Sequence, residues 1–195
     1  MNNTINLENA HHVTLPNGLR AMLCHTPEAS ESFVSMAVRA GHFYDPNDCQ
    51  GLAHLLEHML FMGSRHLPKP NAINGFIEQH GGTINAWTGT EYTNYHFNCS
   101  GDAIAQTLPA FADMLRQPLF EEDALTNEIK NIHAEFEFKK KDDLRRLYQI
   151  HKETCNPEHP FAKFSVGNCG TFSQHECSEL KRRLKALHQS YYCAL

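Results

Sequence analysis

The sequence predicts an α+β fold, a mixed, mainly antiparallel sheet packed against a layer of helices. Three observations carry this expectation. Strand-like and helix-like segments come in clusters rather than in strict alternation, which disfavours a doubly wound parallel sheet. Two short apolar segments flank Pro16-Asn17-Gly18, where Asn-Gly supplies the positive φ of a tight hairpin. A Leu/Met-rich segment from Gly51 to Met62 has helical spacing and is stopped by Gly63.

The elements follow in order. His12–Leu15 and Leu19–Cys24 read as paired strands around the Asn-Gly turn, with a third strand at Phe33–Ala40. Asp45-Pro46-Asn47-Asp48 is a turn and helix-start cluster ahead of the helix at 51–62. A second helix covers Asn71–His80 and ends at Gly81-Gly82. Thr83–Thr88 and Tyr92–Cys99, rich in β-branched and aromatic residues, read as paired strands. Helices resume at Asp102–Leu115 and as one long helix over Glu121–Thr154, acidic at its start and basic later. Asn156-Pro157 and His159-Pro160 break it, a Gly- and Phe-rich loop runs to Thr171, and Ser178–Tyr192 is a final amphipathic helix.

The whole span 1–195 reads as one domain or a large piece of one, since 41% hydrophobic and 20% charged residues can form a core. A net charge of −5 provides no general basic field, so neither nucleic acid nor an anionic membrane is an expected partner. Cysteines at 24, 49, 99, 155, 169, 177 and 193 are odd in number and lack a Cys-x-x-Cys, and read as reduced, mostly buried thiols. Met1–Leu7 is polar and no apolar run of membrane-spanning length is present, which makes the cytoplasm the expected location.

The chemistry concentrates in His54-Leu55-Leu56-Glu57-His58. At 3.6 residues per turn, positions 54 and 58 lie ~40° apart with 57 on the same side, so two imidazoles and a carboxylate project together. Leu52, Leu55, Leu56, Met59 and Leu60 leave only a narrow polar strip, where unpaired His and Glu would be costly and a metal would resolve the cost. Two neutral imidazoles suit Zn²⁺, and Glu57 beside it reads as a general base. A third protein ligand is wanted. On the long helix Glu128 and Glu135 are separated by ~700°, nearly two full turns, and share a face, so either could ligate. His133 and Glu137 fall on the opposite side, facing solvent.

Beyond these residues, the chain resembles the inverted-motif zinc peptidases of the insulinase and pitrilysin type. The resemblance runs through Leu15-Pro-Asn-Gly-Leu19, the segment Gly51–Gly63, Asn156-Pro-Glu-His-Pro-Phe-Ala-Lys-Phe164 and Leu184–Tyr192. It implies a zinc endopeptidase with one Zn²⁺ per chain, His54, His58 and Glu135 as ligands, Glu57 as base and Glu128 as an acidic residue behind a ligand. It also implies that peptide substrate is laid along Asn85-Ala86-Trp87-Thr88 by strand addition, with Trp87 lining the pocket for the residue after the scissile bond. Ten residues beyond Glu135, where insulysin-like members carry an aromatic, this chain has Arg145, which favours acidic or polar substrate side chains. Family members are built of two homologous halves, so the chain is expected to be an N-terminal piece whose partner is the C-terminal half or a second subunit. Such a piece is expected to be weakly active and to self-associate. The competing readings are a non-catalytic binding or assembly subunit, marked by loss of the motif, and a structural zinc site, marked by a fourth protein ligand.

Overall fold

A computed structural model describes residues 10–192. Cys193 and the polar Met1–Leu7 segment lie outside the described residues. The hairpin forms as expected: β1 (Ala10–Thr14) pairs antiparallel with β2 (Arg20–Cys24), and Gly18 takes φ +87° in the turn. A separate sheet has the order β3-β5-β4, where β3 is Glu31–Val38, β4 is Ile84–Thr88 and β5 is Thr93–Ser100. Both sheets are wholly antiparallel among the described strands, so the parallel component of a mixed sheet is not seen. β5 is central, and its alternate residues Thr93, Tyr95, Phe97 and Cys99 are buried, the period-2 pattern of a sheet with one face on a core.

The helices are α1 (Leu52–Leu60), α2 (Ala72–Gln79), α3 (Ile104–Arg116), α4 (Glu122–Lys139), α5 (Asp143–Glu153), α6 (Cys169–Phe172) and α7 (Cys177–Tyr192). α1 lies at the centre, packed on α4, α7 and β4, and every residue of it except His58 is buried. Its start is built from a distance. Asp45, itself buried, accepts the Gly51 and Ala53 amides at 2.8 Å each, satisfying donors that the first turn of a helix leaves free. Gly51 sits at φ +93°, and a Cβ there would lie 2.4 Å from the Gly167 Cα. This close approach of two glycines lays residues 166–167 against the first turn of α1.

Two expectations are corrected. The single helix over 121–154 is in fact two, α4 and α5, broken at Lys140–Asp142. Asp142 accepts the Leu144 and Arg145 amides at 2.8 and 3.2 Å and so caps a new helix, while Lys139 closes the last turn of α4, where cations suit the dipole. The thiols are also less buried than expected. Cys49 and Cys99 are buried, Cys155, Cys169 and Cys177 are half-buried and Cys24 is exposed, all six free. No helix among the described residues is long and apolar enough to cross a membrane.

Candidate active site

α1 turns His54, Glu57 and His58 towards α4, and the two imidazoles meet edge to face with centroids 4.7 Å apart. Each ring is oriented through Nδ1. That of His54 donates to the Val166 carbonyl at 2.7 Å and that of His58 to Glu128 Oε2 at 2.9 Å. Both Nε2 atoms are thereby left to face Glu135, whose Oε2 lies 3.6 Å from His54 Nε2 and 3.5 Å from His58 Nε2. One donor atom from each of these three residues falls within 4.8 Å of the others. A tetrahedral ion with ligand bonds of ~2.1 Å has edges of ~3.4 Å, so the two measured edges fit Zn²⁺ closely. The outer hydrogen bonds also match what a metal-binding imidazole needs, a fixed tautomer with Nε2 free.

Glu128 and Glu135 share a face of α4 but meet different atoms. Glu128 is buried, spent on His58 Nδ1 and on the Asn131 amide, which donates to its Oε1 at 2.8 Å. Glu135 alone reaches the Nε2 side, and its other oxygen, Oε1, pairs with Lys139 one turn along the helix. Lys139 was not singled out from the sequence, although its i, i+4 spacing to Glu135 was a usable signal. The Val166 contact had none, because a backbone carbonyl carries no side-chain signature.

Charge is distributed unevenly across the cluster. Burial, and then the neighbouring His58, pull His54 down to about 4, so its ring is neutral. Burial pulls His58 down too, but the carboxylates of Glu128 and Glu135 outweigh it and raise it to about 9. Its hydrogen bond to His58, opposed by burial and aided by Lys139, holds Glu135 at about 2. Burial raises the Glu57 pKa from its usual value against the opposing Thr88 hydrogen bond.

His54, Glu57 and Glu135 line a cavity of about 290 Å³. Its walls include Ala86, Trp87 and Thr88 of β4, Lys139 of α4, Arg145 of α5 and Val166. Trp87 is 53% exposed, a surface residue beside the cavity rather than part of the core. Asn85 and Trp87 face outward on β4, while Ala86 and Thr88 turn inward, the Thr88 hydroxyl donating to Glu57 Oε2. Arg145 reaches the cavity only because the helix breaks. On a continuous helix it would sit ~280° around and ~15 Å along from Glu135. His133 is half-buried rather than solvated, its Nδ1 enclosed without a partner among the described residues, while the Glu137 side chain is exposed as expected and pairs with Lys140.

The α+β domain thus presents two imidazoles and a carboxylate as a metal-sized triangle, with a second carboxylate beside it. The chain belongs to the insulinase family (peptidase family M16), whose model matches residues 20–162. It is 36% identical over 181 residues to the human insulin-degrading enzyme, covering 91% of this chain and 18% of that protein. It is 35% identical over 185 residues to the A-factor-processing enzyme of Saccharomyces cerevisiae, covering 93% of this chain and 18% of that one. A crystal structure of pitrilysin superposes with a TM-score of 0.88 at 32% identity, over 100% of this chain and 22% of that one. The chain therefore spans about a fifth of the length of these relatives.

Proposed function

We propose that this chain carries the zinc site and general base of a peptide-bond hydrolase, with His54, His58 and Glu135 as ligands and Glu57 as base. The triangle of His54 Nε2, His58 Nε2 and Glu135 Oε2 is the observation that carries the reading. Zn²⁺ bound there would supply a Lewis acid and lower the pKa of a bound water towards ~7. Glu57 Oε1, which makes no hydrogen bond among the described residues, is free to take the proton of the attacking water and return it to the leaving amine. Three protein ligands leave a fourth position for water, and no cysteine or further histidine joins the cluster among the described residues, which favours catalysis over a structural zinc site.

β4 pairs only with β5 among the described strands, so its other edge offers backbone donors and acceptors to an extended peptide, with Asn85 and Trp87 facing outward beside it. Arg145, whose guanidinium has no acidic partner among the described residues, would meet the substrate side chain in the cavity. The facing wall would come from the remainder of the enzyme or a partner subunit. The test is metal analysis with two variants. One zinc per chain is expected in the native protein, none in His58→Ala, and undiminished zinc in Glu57→Gln, which should abolish turnover in the complete enzyme. Unchanged zinc in His58→Ala, or full turnover in Glu57→Gln, would overturn the assignment.

A further inference from the structure

Behind Glu57 the protein places four hydroxyl groups, drawn from three elements. Thr88 on β4 donates to Glu57 Oε2, and Thr93 on β5 donates to the Ala40 carbonyl at 2.7 Å with its oxygen 3.3 Å from Thr88 Oγ1. Tyr192 at the end of α7 pairs with the Tyr95 hydroxyl at 2.8 Å. Thr93, Tyr95 and Tyr192 are each no more than 1% exposed. Buried hydroxyls are costly if left unpaired. Among the four, Thr88 is the one that hydrogen-bonds the Glu57 carboxylate.

We propose that Thr88, backed by Thr93, forms a positioning relay that holds Glu57 with Oε2 turned into the protein and Oε1 turned to the cavity. The inference rests on the reading of Glu57 as the base and adds how that base is kept in register. Thr88 has a single hydroxyl proton, and giving it to Oε2 leaves that oxygen an acceptor only. A proton taken from water therefore lands on Oε1. Oε2 then becomes the carbonyl oxygen of a carboxylic acid, which still accepts from Thr88, so the hold survives the change of protonation. The same oxygen collects the proton and delivers it, with no rotation that would carry it away from the reacting atoms. Thr93, anchored on the Ala40 carbonyl, backs the Thr88 oxygen at 3.3 Å and so limits the Thr88 rotamer. Without the hydroxyl the Glu57 carboxylate is free to turn about its last torsion, which is broad and two-fold.

Acetohydroxamate binding to the zinc-loaded full chain reads this without requiring turnover. A hydroxamate chelates zinc and offers a hydroxyl to the adjacent carboxylate, so its affinity depends on where the free oxygen of Glu57 points. Thr88→Val should weaken acetohydroxamate at least about fivefold, the value of one hydrogen bond, towards the level of Glu57→Gln, while zinc affinity by chelator competition stays unchanged. Thr88→Ser should restore native affinity, which a purely packing role for the threonine would not explain. A folded, zinc-loaded Thr88→Val that binds acetohydroxamate as tightly as the native chain would overturn the relay and leave the metal site standing. Failure of the native chain to take up zinc would overturn both. If Thr88→Val does not fold, Thr88→Ala removes the same hydroxyl and should weaken binding at least as much; native affinity there would overturn the relay as well.

Discussion

His42 is buried, donates through Nδ1 to the Gly89 carbonyl at 2.9 Å, and encloses an Nε2 with no partner. Burial, with the nearby Lys152 charge adding to it, lowers its pKa to about 4 from the usual 6.5. A depressed histidine contributes stability that is complete above the unfolded value and is lost as pH falls through the folded one. The native chain should therefore lose more stability between pH 6.5 and 4 than His42→Gln does, by at most about 3 kcal/mol at roughly 1.4 kcal/mol per unit. Urea titrations of both proteins at the two pH values check this, and parallel losses would remove His42 from the account. Arg145 gives a second expectation at this scale. Arg145→Phe should shift the side chain preferred after the scissile bond from acidic towards large apolar, read from the cleavage maps of the active enzyme; identical maps would leave Arg145 without a role in selection. The histidine and glutamate positions on α1 were legible because a helix of known period admits one arrangement of 54, 57 and 58. The difference between Glu128 and Glu135 was not legible from spacing, since both share a face; in the structure each meets a different imidazole nitrogen of His58.

The helices owe their placement to a few local devices. Gly51 combines a left-handed backbone with contact to Gly167, and neither tolerates a side chain. Gly51→Ala should cost about 2 kcal/mol or more from the φ penalty and the clash together, and should also weaken zinc by pushing residues 166–167 off α1 and releasing His54. Chemical denaturation and chelator competition measure the two effects, and a loss of stability with native zinc affinity would separate the glycine contact from the site. The same scale shows why most of the fold could be read and one boundary could not. α1 and α2 announce themselves by apolar spacing and by glycine or proline at their ends, and α7 by apolar spacing alone. The break between α4 and α5 contains neither, only charged residues, and its single cue, Asp142 ahead of Asp143, is hidden because Asp is also common on a solvated helix face. The half-burial of His133 was missed for a related reason: spacing says which residues share a helix face and not what packs against the opposite one.

At the scale of the molecule, the chain presents apolar side chains that nothing among the described residues covers. On α4 and α5, Phe138, Leu144, Leu147 and Ile150 are 77, 78, 63 and 57% exposed. Surfaces of this kind associate. The isolated chain should show a sedimentation coefficient that rises with concentration, and Leu144→Glu with Leu147→Glu should suppress the rise; a single monomeric boundary at every concentration would refute it. The same chain should bind zinc yet turn over peptides poorly, because the proposed donors and base all lie on α1 and α4 while the chain spans only about a fifth of its relatives' length. Addition of the remaining enzyme in trans should raise the rate, and equal rates with and without it would count against the expectation. The hydrogen bond from His54 to the Val166 carbonyl spans 112 positions of sequence, which puts a clock on the making of this site. At the ~5–20 residues per second of a translating ribosome, His54 emerges roughly 6–20 s before the carbonyl that selects its tautomer exists. Until then the helix can be wound but its imidazole is unaddressed, so metal capture belongs to the closing moments of this segment's synthesis and not to its beginning.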